Sequence, residues 1–338
     1  MYFSRIAALF LLVGFVSGCS PQEQTDNVEG ITVYSSRAEH LIKPLFDVFT
    51  AQTGIPVRYT TDSEAALISR LEAEGENTPA DILLTVDAGN LWFADSKNLF
   101  QAVDSPILQG NVPENLRSQA GTWFGLSVRA RTIVYSTDRV DRQNLDSYEG
   151  LADSEWQGRL CLRTSKKVYN QSLVASLITR LGIEETENIV AGWVKNLAVE
   201  PLGSDNQAIE AVVAGVCDVT VVNTYYFGRM QADNPEIPAA IFWPNQSTSG
   251  VHLNVSGAGV TRNAPNPALA QQLLEWLSES EAQAMFAGLN KEFPVNPSVD
   301  AIDQVEAWGD FKADSLNVEE VGRLQAEAVM LMDRAGYK

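Results

Sequence analysis

The sequence has 338 residues, 45% of them hydrophobic and 20% charged, so it can bury one large core or two smaller ones. A disordered or fibrous protein is therefore excluded. With 24 lysines and arginines against 43 aspartates and glutamates, the formal charge of -19 argues against nucleic acid as a partner. Two histidines, His40 and His252, are too few for enzymes that need a histidine cluster.

The N-terminal segment, residues 1–18, has the pattern of a bacterial export signal: Arg5 precedes an apolar run that is too short to span a bilayer. Val16-Ser17-Gly18-Cys19 then resembles a lipobox. It predicts that Cys19 is lipidated and anchors the mature chain to a membrane, with residues 19–30 as a polar tether. The alternative is an ordinary cleaved signal that ends nearby.

Beyond the tether, short β-branched runs alternate with amphipathic helical windows, as in α/β proteins with parallel sheets and crossover helices. Strands are predicted at Ile31–Tyr34, Val57–Tyr59, Asp81–Thr85, Thr132–Tyr135, Arg159–Leu162, Val219–Asn223 and Gly257–Val260. Helices are predicted at Glu64–Glu74, Asn206–Ala214, Pro267–Ser278 and, as one long element, Val318–Ala335. The mature chain exceeds the usual size of one α/β core, so two lobes are expected.

Two cysteines, Cys161 and Cys217, remain once Cys19 is set aside. An even number of cysteines in an exported protein favours a disulfide, because the compartment is oxidising. Both lie in or beside apolar strand-like runs, so adjacent strands would bring them within reach. Two separate buried thiols are the alternative.

Several enzyme classes lack their sequence signatures. Ser35-Ser36-Arg37 follows the first strand where a dinucleotide-binding fold needs a glycine fingerprint. The chain also contains no phosphate-binding P-loop, no His-Glu-x-x-His and no Gly-x-Ser-x-Gly motif. A binding protein is therefore favoured over an enzyme.

Six segments, in order along the mature chain, are similar to the periplasmic ferric-iron-binding proteins of ABC transporters: 32–37, 78–87, 123–131, 168–175, 223–228 and 254–260. The resemblance implies a two-lobed, type II (transferrin-like) periplasmic-binding-protein fold with a ligand cleft. We expect residues 31–130 plus 259–306 in lobe 1, and 131–258 plus 307–338 in lobe 2. It also implies a monomer in the periplasm, with an ABC permease and its ATPase as partners.

Adjacent tyrosines supply the chemistry that this resemblance requires. Ferric ion is a hard cation that favours anionic oxygen ligands, and Tyr225-Tyr226 offers two phenolates at the carboxyl end of a predicted strand. Without the resemblance, a half-buried aromatic cluster would explain the pair equally well. Tyr169 matches a third tyrosine ligand of the family, with a cleft-lining aromatic as the alternative. Val86 stands where some members have a glutamate ligand, and Asp87 is expected to face the other way.

The candidate ligand in the first lobe departs from the pattern of the family. Family members have a histidine or tyrosine after the segment that ends at Arg37, and this chain reads Ala38-Glu39-His40. His40 is the candidate metal ligand there, with water or a bound anion as the alternative. Ser36 and Glu39 fit a helix capping box.

Arginines form the other part of the predicted site. The resemblance places Arg37 and Arg129 around a small synergistic anion such as carbonate, which a guanidinium can hold with two parallel hydrogen bonds. Arg131 is expected further along the strand, beyond the anion. Asn223 is a candidate for orienting a tyrosine or the anion. Salt bridges at the surface or between the lobes are the alternative role for the arginines.

The leading hypothesis is a lipid-anchored receptor, not an enzyme, that captures ferric iron and delivers it to a permease. An oxyanion receptor for phosphate, sulfate or a phosphonate is the alternative within the same fold. A hydrolase that uses Ser35 or Ser36 is more remote, because no general base other than His40 is near and no glycine elbow holds the serine.

Overall fold

A computed structural model describes residues 30–338 of the chain. The predicted signal peptide and the lipidation site Cys19 lie outside the described residues. The strands are β1 (Ile31–Ser35), β2 (Val57–Thr61), β3 (Ile82–Val86), β4 (Phe124–Ser136), β5 (Leu160–Cys161), β6 (Val219–Asn223), β7 (Ala239–Phe242), β8 (Leu253–Val260) and β9 (Phe293–Pro294).

Helices connect and cover these strands. They are α1 (Glu39–Thr53), α2 (Glu64–Glu74), α3 (Ala88–Ser96), α4 (Pro106–Asn111), α5 (Val168–Leu181), α6 (Ile183–Asn196), α7 (Asp205–Val213), α8 (Thr224–Asp233), α9 (Pro267–Ser278), α10 (Ser280–Asn290), α11 (Asp303–Glu306), α12 (Val318–Arg323) and α13 (Gln325–Arg334). In the described part of the chain, no helix is both long and apolar enough to cross a membrane.

The α/β class is confirmed, but the strands are not all parallel as the alternating pattern predicted. Their order is β2-β1-β3-β8-β4-β6-β5, with β7 and β9 also paired to β4. The pairs β1–β2, β1–β3 and β5–β6 are parallel. Every pair that involves β4 or β8 is antiparallel, because these two strands return from one half of the molecule to the other.

The long strand β4 joins the two halves, and only its second part was predicted. Residues 124–130 pair with β8, and residues 131–136 pair with β6 and β7. The change of partner falls between Ala130 and Arg131, where the expected lobe boundary lies. Two large hydrophobic cores flank this point, one around Phe49 and Trp123 and the other around Trp156 and Trp193. The full division into lobes stays a proposal.

The observed bounds of the shorter helices agree with the predicted ranges. The helix α2 begins after Ser63, whose side chain accepts a hydrogen bond from the Ala66 amide, and it ends at Gly75. The helix α9 has the predicted bounds, and α7 differs from its prediction by one residue at each end.

The prediction of one long C-terminal helix is wrong, because the chain breaks at Leu324 into α12 and α13. The helix α12 packs against both α3 and α5, and α13 packs against α5 and α6. Gly322 allows the close approach to α3, since a Cβ there would lie 2.4 Å from the Cβ of Trp92. One straight helix could not satisfy both packing directions.

A disulfide joins Cys161, at the end of β5, to Cys217, in the loop before β6, with Cα atoms 5.9 Å apart. Both residues are buried against Val212. The bridge therefore ties the end of β5 to the chain just before β6, at the opposite end of β6 from Tyr225 and Tyr226.

Removal of this disulfide should lower the stability of the fold. The cysteines are 56 residues apart in sequence, and closing a loop of that length restricts the unfolded chain by about 4 kcal/mol in the chain-entropy model. We expect the free energy of unfolding, measured in guanidinium, to fall by about that amount when a reductant is added. The Cys161→Ala/Cys217→Ala double variant is the control and should not respond to reductant. Equal stability of the wild-type protein with and without reductant would contradict this prediction.

Candidate functional site

The predicted site residues meet at a cavity of about 260 Å³ between the two halves of the molecule. Arg37 and His40 reach it from the β1–α1 connection and the start of α1, and three tyrosines reach it from α5 and α8. Larger cavities are lined by other residues: two, of about 390 and 740 Å³, lie near the C-terminus, and one of about 300 Å³ lies beside Phe124. The predicted tyrosine, arginine and histidine side chains lie at the cavity of about 260 Å³.

Tyr169, Tyr225 and Tyr226 are placed by the first turns of two helices. Tyr169 is the second residue of α5, and Tyr225 and Tyr226 follow β6 directly at the start of α8. The hydroxyl of Tyr225 lies 3.5 Å from that of Tyr169. The rings of Tyr225 and Tyr226 have centroids 4.3 Å apart. Three phenol groups from separate parts of the chain thus converge on one cavity.

Cationic side chains surround these rings. The Arg229 guanidinium lies 5.1 Å from the ring centre of Tyr225 and 5.0 Å from that of Tyr226. The Lys167 ammonium lies 5.0 Å from the ring centre of Tyr169. Positive charge at these distances favours the ionised form of a phenol, although the whole protein is acidic.

Burial acts in the opposite direction on the phenols. It raises the pKa of Tyr169 to about 12 and that of Tyr225 well above its ordinary value, while the nearby Arg129 opposes both shifts. At neutral pH both phenols therefore keep their protons. A highly charged cation placed between them would favour the phenolates, as bound metals do for water and thiols.

The two arginines predicted to hold an anion lie at the cavity, and both pair with Glu292. Arg37 Nη1 lies 3.1 Å from one carboxylate oxygen, and Arg129 Nη2 lies 3.3 Å from the other. Arg37 Nη1 also donates to Ser256 at 2.6 Å. All three charged side chains are at most 2% exposed, so the cluster is a buried network with a net charge of one. Within residues 30–338, the Nε atoms of Arg37 and Arg129 have no hydrogen-bond partner.

Glu292 stays ionised because of its two partners. Burial alone would raise its pKa, but Arg37 and Arg129 outweigh that effect and lower it to about 2. Asn290 donates a further hydrogen bond of 2.7 Å to the carboxylate.

The comparison with known proteins is consistent with this geometry. A family model described as bacterial extracellular solute-binding protein matches residues 45–313. The chain belongs to this family. Iron uptake protein A1 of Synechocystis sp. is 43% identical over 325 residues, covering 94% of this chain and 89% of the relative. The Fe(3+)-binding periplasmic protein of Serratia marcescens is 27% identical over 90% of this chain and 91% of its own length.

Solved structures give the same result for the fold of this solute-binding protein. IdiA (FutA) of Trichodesmium, described in complex with iron and citrate ligands, is 42% identical with a TM-score of 0.88, over 91% of this chain and all of that chain. A ferric iron-binding protein of Mannheimia haemolytica in an open conformation is 36% identical with a TM-score of 0.85, over 91% of this chain and 99% of that one. The two-lobed periplasmic-binding fold and the resemblance to ferric-iron-binding proteins are confirmed.

One local prediction, at the start of α1, is wrong. Ser36 and Glu39 do not form a capping box, because α1 begins after Ala38 without a side-chain cap. Ser36 instead accepts a hydrogen bond from the Val86 amide at 3.2 Å, and Glu39 accepts one from the Tyr59 hydroxyl at 2.7 Å. Ser35, the other serine of the remote hydrolase hypothesis, accepts from the Arg37 amide at 3.1 Å.

Asp87, which was expected to face the other way, and Asn223, a candidate site residue, do not line the cavity. Asp87 is fully buried, where it caps α3 and accepts hydrogen bonds from Ser172 and Asn254, so it faces away from the tyrosines as expected. Asn223 lies behind Tyr225, where its side-chain oxygen accepts a hydrogen bond of 3.3 Å from Arg131. Asn223 is therefore not placed to contact an anion in the cavity.

Sequence reasoning missed four charged residues of the cavity: Arg229, Lys167, Glu292 and Glu64. Arg229 could have been found, because it follows Tyr225 by four residues on one helix and so shares its face. Lys167, two residues before Tyr169, gave only a weak signal. Glu292 gave none, since it is distant in sequence from both arginines that it neutralises.

Replacing Glu292 should leave the positive charge of this buried network without a partner and so destabilise the fold. Because the partner of two buried guanidiniums is lost, we expect Glu292→Gln to lower the free energy of unfolding at pH 7 by about 3–5 kcal/mol. The pKa of the carboxyl falls from 4.5 to about 2 on folding, so this stabilisation is complete above pH 4.5 and is lost as the pH falls toward 2. The difference between wild type and variant should therefore shrink below pH 4.5 in urea unfolding curves.

The matched control is Glu187→Gln, which removes the carboxylate from the exposed pair with Arg334. It should change the stability by less than about 1 kcal/mol. If the two variants behaved alike, the buried network would not be a stabilising unit.

Proposed function

We propose that this protein captures ferric iron through the phenolates of Tyr169, Tyr225 and Tyr226 and delivers it to an ABC permease and its ATPase. The observation that carries the proposal is the convergence of three phenols, from α5 and α8, on one cavity lined by cations. Three phenolates balance the charge of one ferric ion, and oxygen is the donor atom that a hard trivalent cation favours. The names of the Synechocystis and Trichodesmium relatives support the same cargo.

The anion that we propose beside the metal would bind at Arg37 and Arg129. Glu292 occupies one side of each guanidinium, but the buried Nε atoms of both remain without a partner among residues 30–338. An oxygen anion could satisfy them, because charge-assisted hydrogen bonds from arginine to such groups are strong. Carbonate is the small anion that we expect. The Trichodesmium structure, described in complex with iron and citrate ligands, shows that a relative binds an oxygen-donor anion as well as iron.

We also propose that iron binds in two stages. The three tyrosines belong to the proposed second lobe and can take the metal while the cleft is open. Arg37 and His40 approach from the first lobe, so they add contacts only when the cleft closes. These later contacts would favour the closed form, because a ligand shifts an equilibrium only by its different affinity for the two states.

The location rests on the sequence of the first 30 residues and on the family. We propose that the chain is exported to the periplasm, is lipidated at Cys19 and acts there as a monomer. The lipid would keep the receptor near its permease, and the polar tether would let the lobes move freely.

An oxyanion receptor is the second candidate, and the buried arginine pair favours it. Guanidinium groups whose buried Nε atoms lack a hydrogen-bond partner among residues 30–338 would also suit phosphate or a phosphonate. A neutral phenol can donate a hydrogen bond to an oxyanion, but three phenols at one cavity match the preference of ferric ion for anionic oxygen ligands, so the tyrosines favour iron. The colour of the protein separates the two candidates, since ferric phenolates absorb visible light and oxyanion complexes do not.

Replacing a ligand tyrosine should remove this colour. We expect the iron-loaded wild type to be orange-red and Tyr226→Phe to lose both the visible band and tight binding. Tyr135→Phe, which removes a hydroxyl from the second core, is the control and should keep the colour. Visible absorption during ferric titration, with chelator competition for affinity, checks these outcomes. A wild type that stays colourless with ferric ion but binds phosphate would overturn the iron proposal.

The first-lobe contact should act differently from the tyrosines. We expect His40→Ala to keep the visible band but to reduce closure, because the phenolates remain and only a late contact is lost. Small-angle scattering with and without iron measures closure. Loss of colour in His40→Ala as complete as in Tyr226→Phe would contradict the two-stage proposal.

Iron binding should release protons and weaken as the pH falls. The raised pKa values of Tyr169 and Tyr225 mean that these phenols are protonated in the free protein at neutral pH and must ionise to bind the metal. Each phenolate ligand therefore contributes one released proton, and acid drives the equilibrium back toward free iron. Titration of lightly buffered protein with a ferric chelate, corrected for the protons of the chelator, measures the release. Tyr169→Phe should release fewer protons, and affinity independent of pH between 5 and 8 would contradict phenolate ligation.

A further inference from the structure

We propose that Arg131 is a positioning residue that holds Tyr169 in register with Tyr225 and Tyr226. This inference rests on the proposed tyrosine site and assigns a role to a residue that does not line the cavity. Arg131 lies in β4, two residues after Arg129, and its side chain is 1% exposed. A fully buried guanidinium needs several acceptors, and the identity of its acceptors shows what it connects.

The backbone of Arg131 is fixed on both sides. Its amide donates to the carbonyl of His252 at 3.0 Å, and its carbonyl accepts a hydrogen bond from the Tyr148 hydroxyl. Its Cα is paired with that of Asn223 in the β4–β6 ladder. The guanidinium therefore projects from a rigid part of the sheet.

The guanidinium reaches the segment of Tyr169 through Asn170, the next residue in α5. Arg131 Nη2 donates to the side-chain oxygen of Asn170. The Asn170 amide nitrogen donates in turn to the carbonyl of Arg163 at 2.9 Å and to the hydroxyl of Tyr337 at 2.8 Å. Arg131 thus orients the first turn of α5 and the loop that precedes it.

The same guanidinium reaches the segment of Tyr225 and Tyr226. Its Nη1 atom donates to the side-chain oxygen of Asn223 at 3.3 Å. Asn223 is the residue before α8, and its side chain does not cap the helix. Asparagine at this position usually caps a helix. Here its side chain accepts a hydrogen bond from Arg131 instead.

A second route runs through Asp205, which is fully buried between two arginines. It accepts from Arg131 at 2.9 Å and from Arg163 at 2.6 Å. The Arg163 guanidinium lies 5.7 Å from the ring centre of Tyr169. Arg131 and Asp205 together therefore place a cation beside the ring of Tyr169.

These contacts give Arg131 a role that a lysine cannot fill. A guanidinium has donors on two separate nitrogens, which here serve Asn170 on one side and Asn223 with Asp205 on the other. A lysine ammonium keeps the charge for Asp205 but cannot span both sides in the same plane. Arg131→Lys therefore separates the positioning function from simple charge balance.

The test compares Arg131→Lys with Arg159→Lys in the full mature protein. Arg159 pairs with Asp218 in the same half of the molecule and has no hydrogen bond to a tyrosine segment among the described residues. Four quantities are measured: the position of the ferric visible band, iron affinity by chelator competition, the thermal midpoint, and the near-ultraviolet circular dichroism of the iron-free protein. The last quantity reports tyrosine packing without metal.

We expect Arg131→Lys to shift the visible band, change the iron-free tyrosine signal and weaken iron binding by about 10- to 100-fold, the usual effect of removing an outer support of a metal ligand. Arg159→Lys should leave all three unchanged. A lower thermal midpoint in Arg131→Lys with unchanged band, dichroism and affinity would overturn the inference and leave Arg131 a purely structural residue.

A second variant keeps the test decisive if Arg131→Lys does not fold. Asn223→Leu cuts the link to α8 and leaves Arg131 paired with Asp205, so it should shift the band in the same way. An unchanged band in that variant would overturn the inference. A wild-type protein that shows no ferric band would overturn the proposed function as well, whereas a coloured wild type with unaffected variants would overturn only the role of Arg131.

Discussion

The pairing of β4 with strands from both halves is the constraint on which the site depends. One continuous strand carries Arg129 and Arg131 on the same face, two residues apart, and changes its partners between them. Arg129 therefore faces the cavity together with Glu292, while Arg131 reaches the segments behind the tyrosines. A strand fixed on both edges gives both guanidiniums a rigid base, which loops alone could not supply.

Positively charged side chains cluster at the cavity, although the protein as a whole is acidic. A chain with a formal charge of -19 concentrates cations at one cavity, and it does so by burying carboxylates as partners for some of them. Glu292 and Asp205 each hold two arginines, so neither pair of guanidiniums faces the other uncompensated. The surplus positive charge lies near Tyr169 and Tyr225, whose phenols burial keeps neutral at ordinary pH.

Local signals in the sequence predicted local structure well, and long-range contacts set the rest. The bounds of α2 followed from apolar spacing and the stop at Gly75, those of α9 were also predicted, and the convergence of Tyr169 with Tyr225 was expected from the family segments. The break at Leu324 could not be predicted, because an unbroken apolar stripe continues through it and only packing against two different partners interrupts the helix. Glu292 was missed for a similar reason: no spacing rule connects it to Arg37, which is 255 residues away in sequence.

The last residues of the chain complete structures that begin much earlier. Val318 belongs to the first core and Leu331 to the second, and the hydroxyl of Tyr337 bonds to Asn170 beside the tyrosine site. During synthesis, neither core is complete before this C-terminal segment emerges. The cavity that holds the three tyrosines is therefore among the last features of the fold to form, because the Tyr337 hydroxyl bonds to Asn170 beside Tyr169.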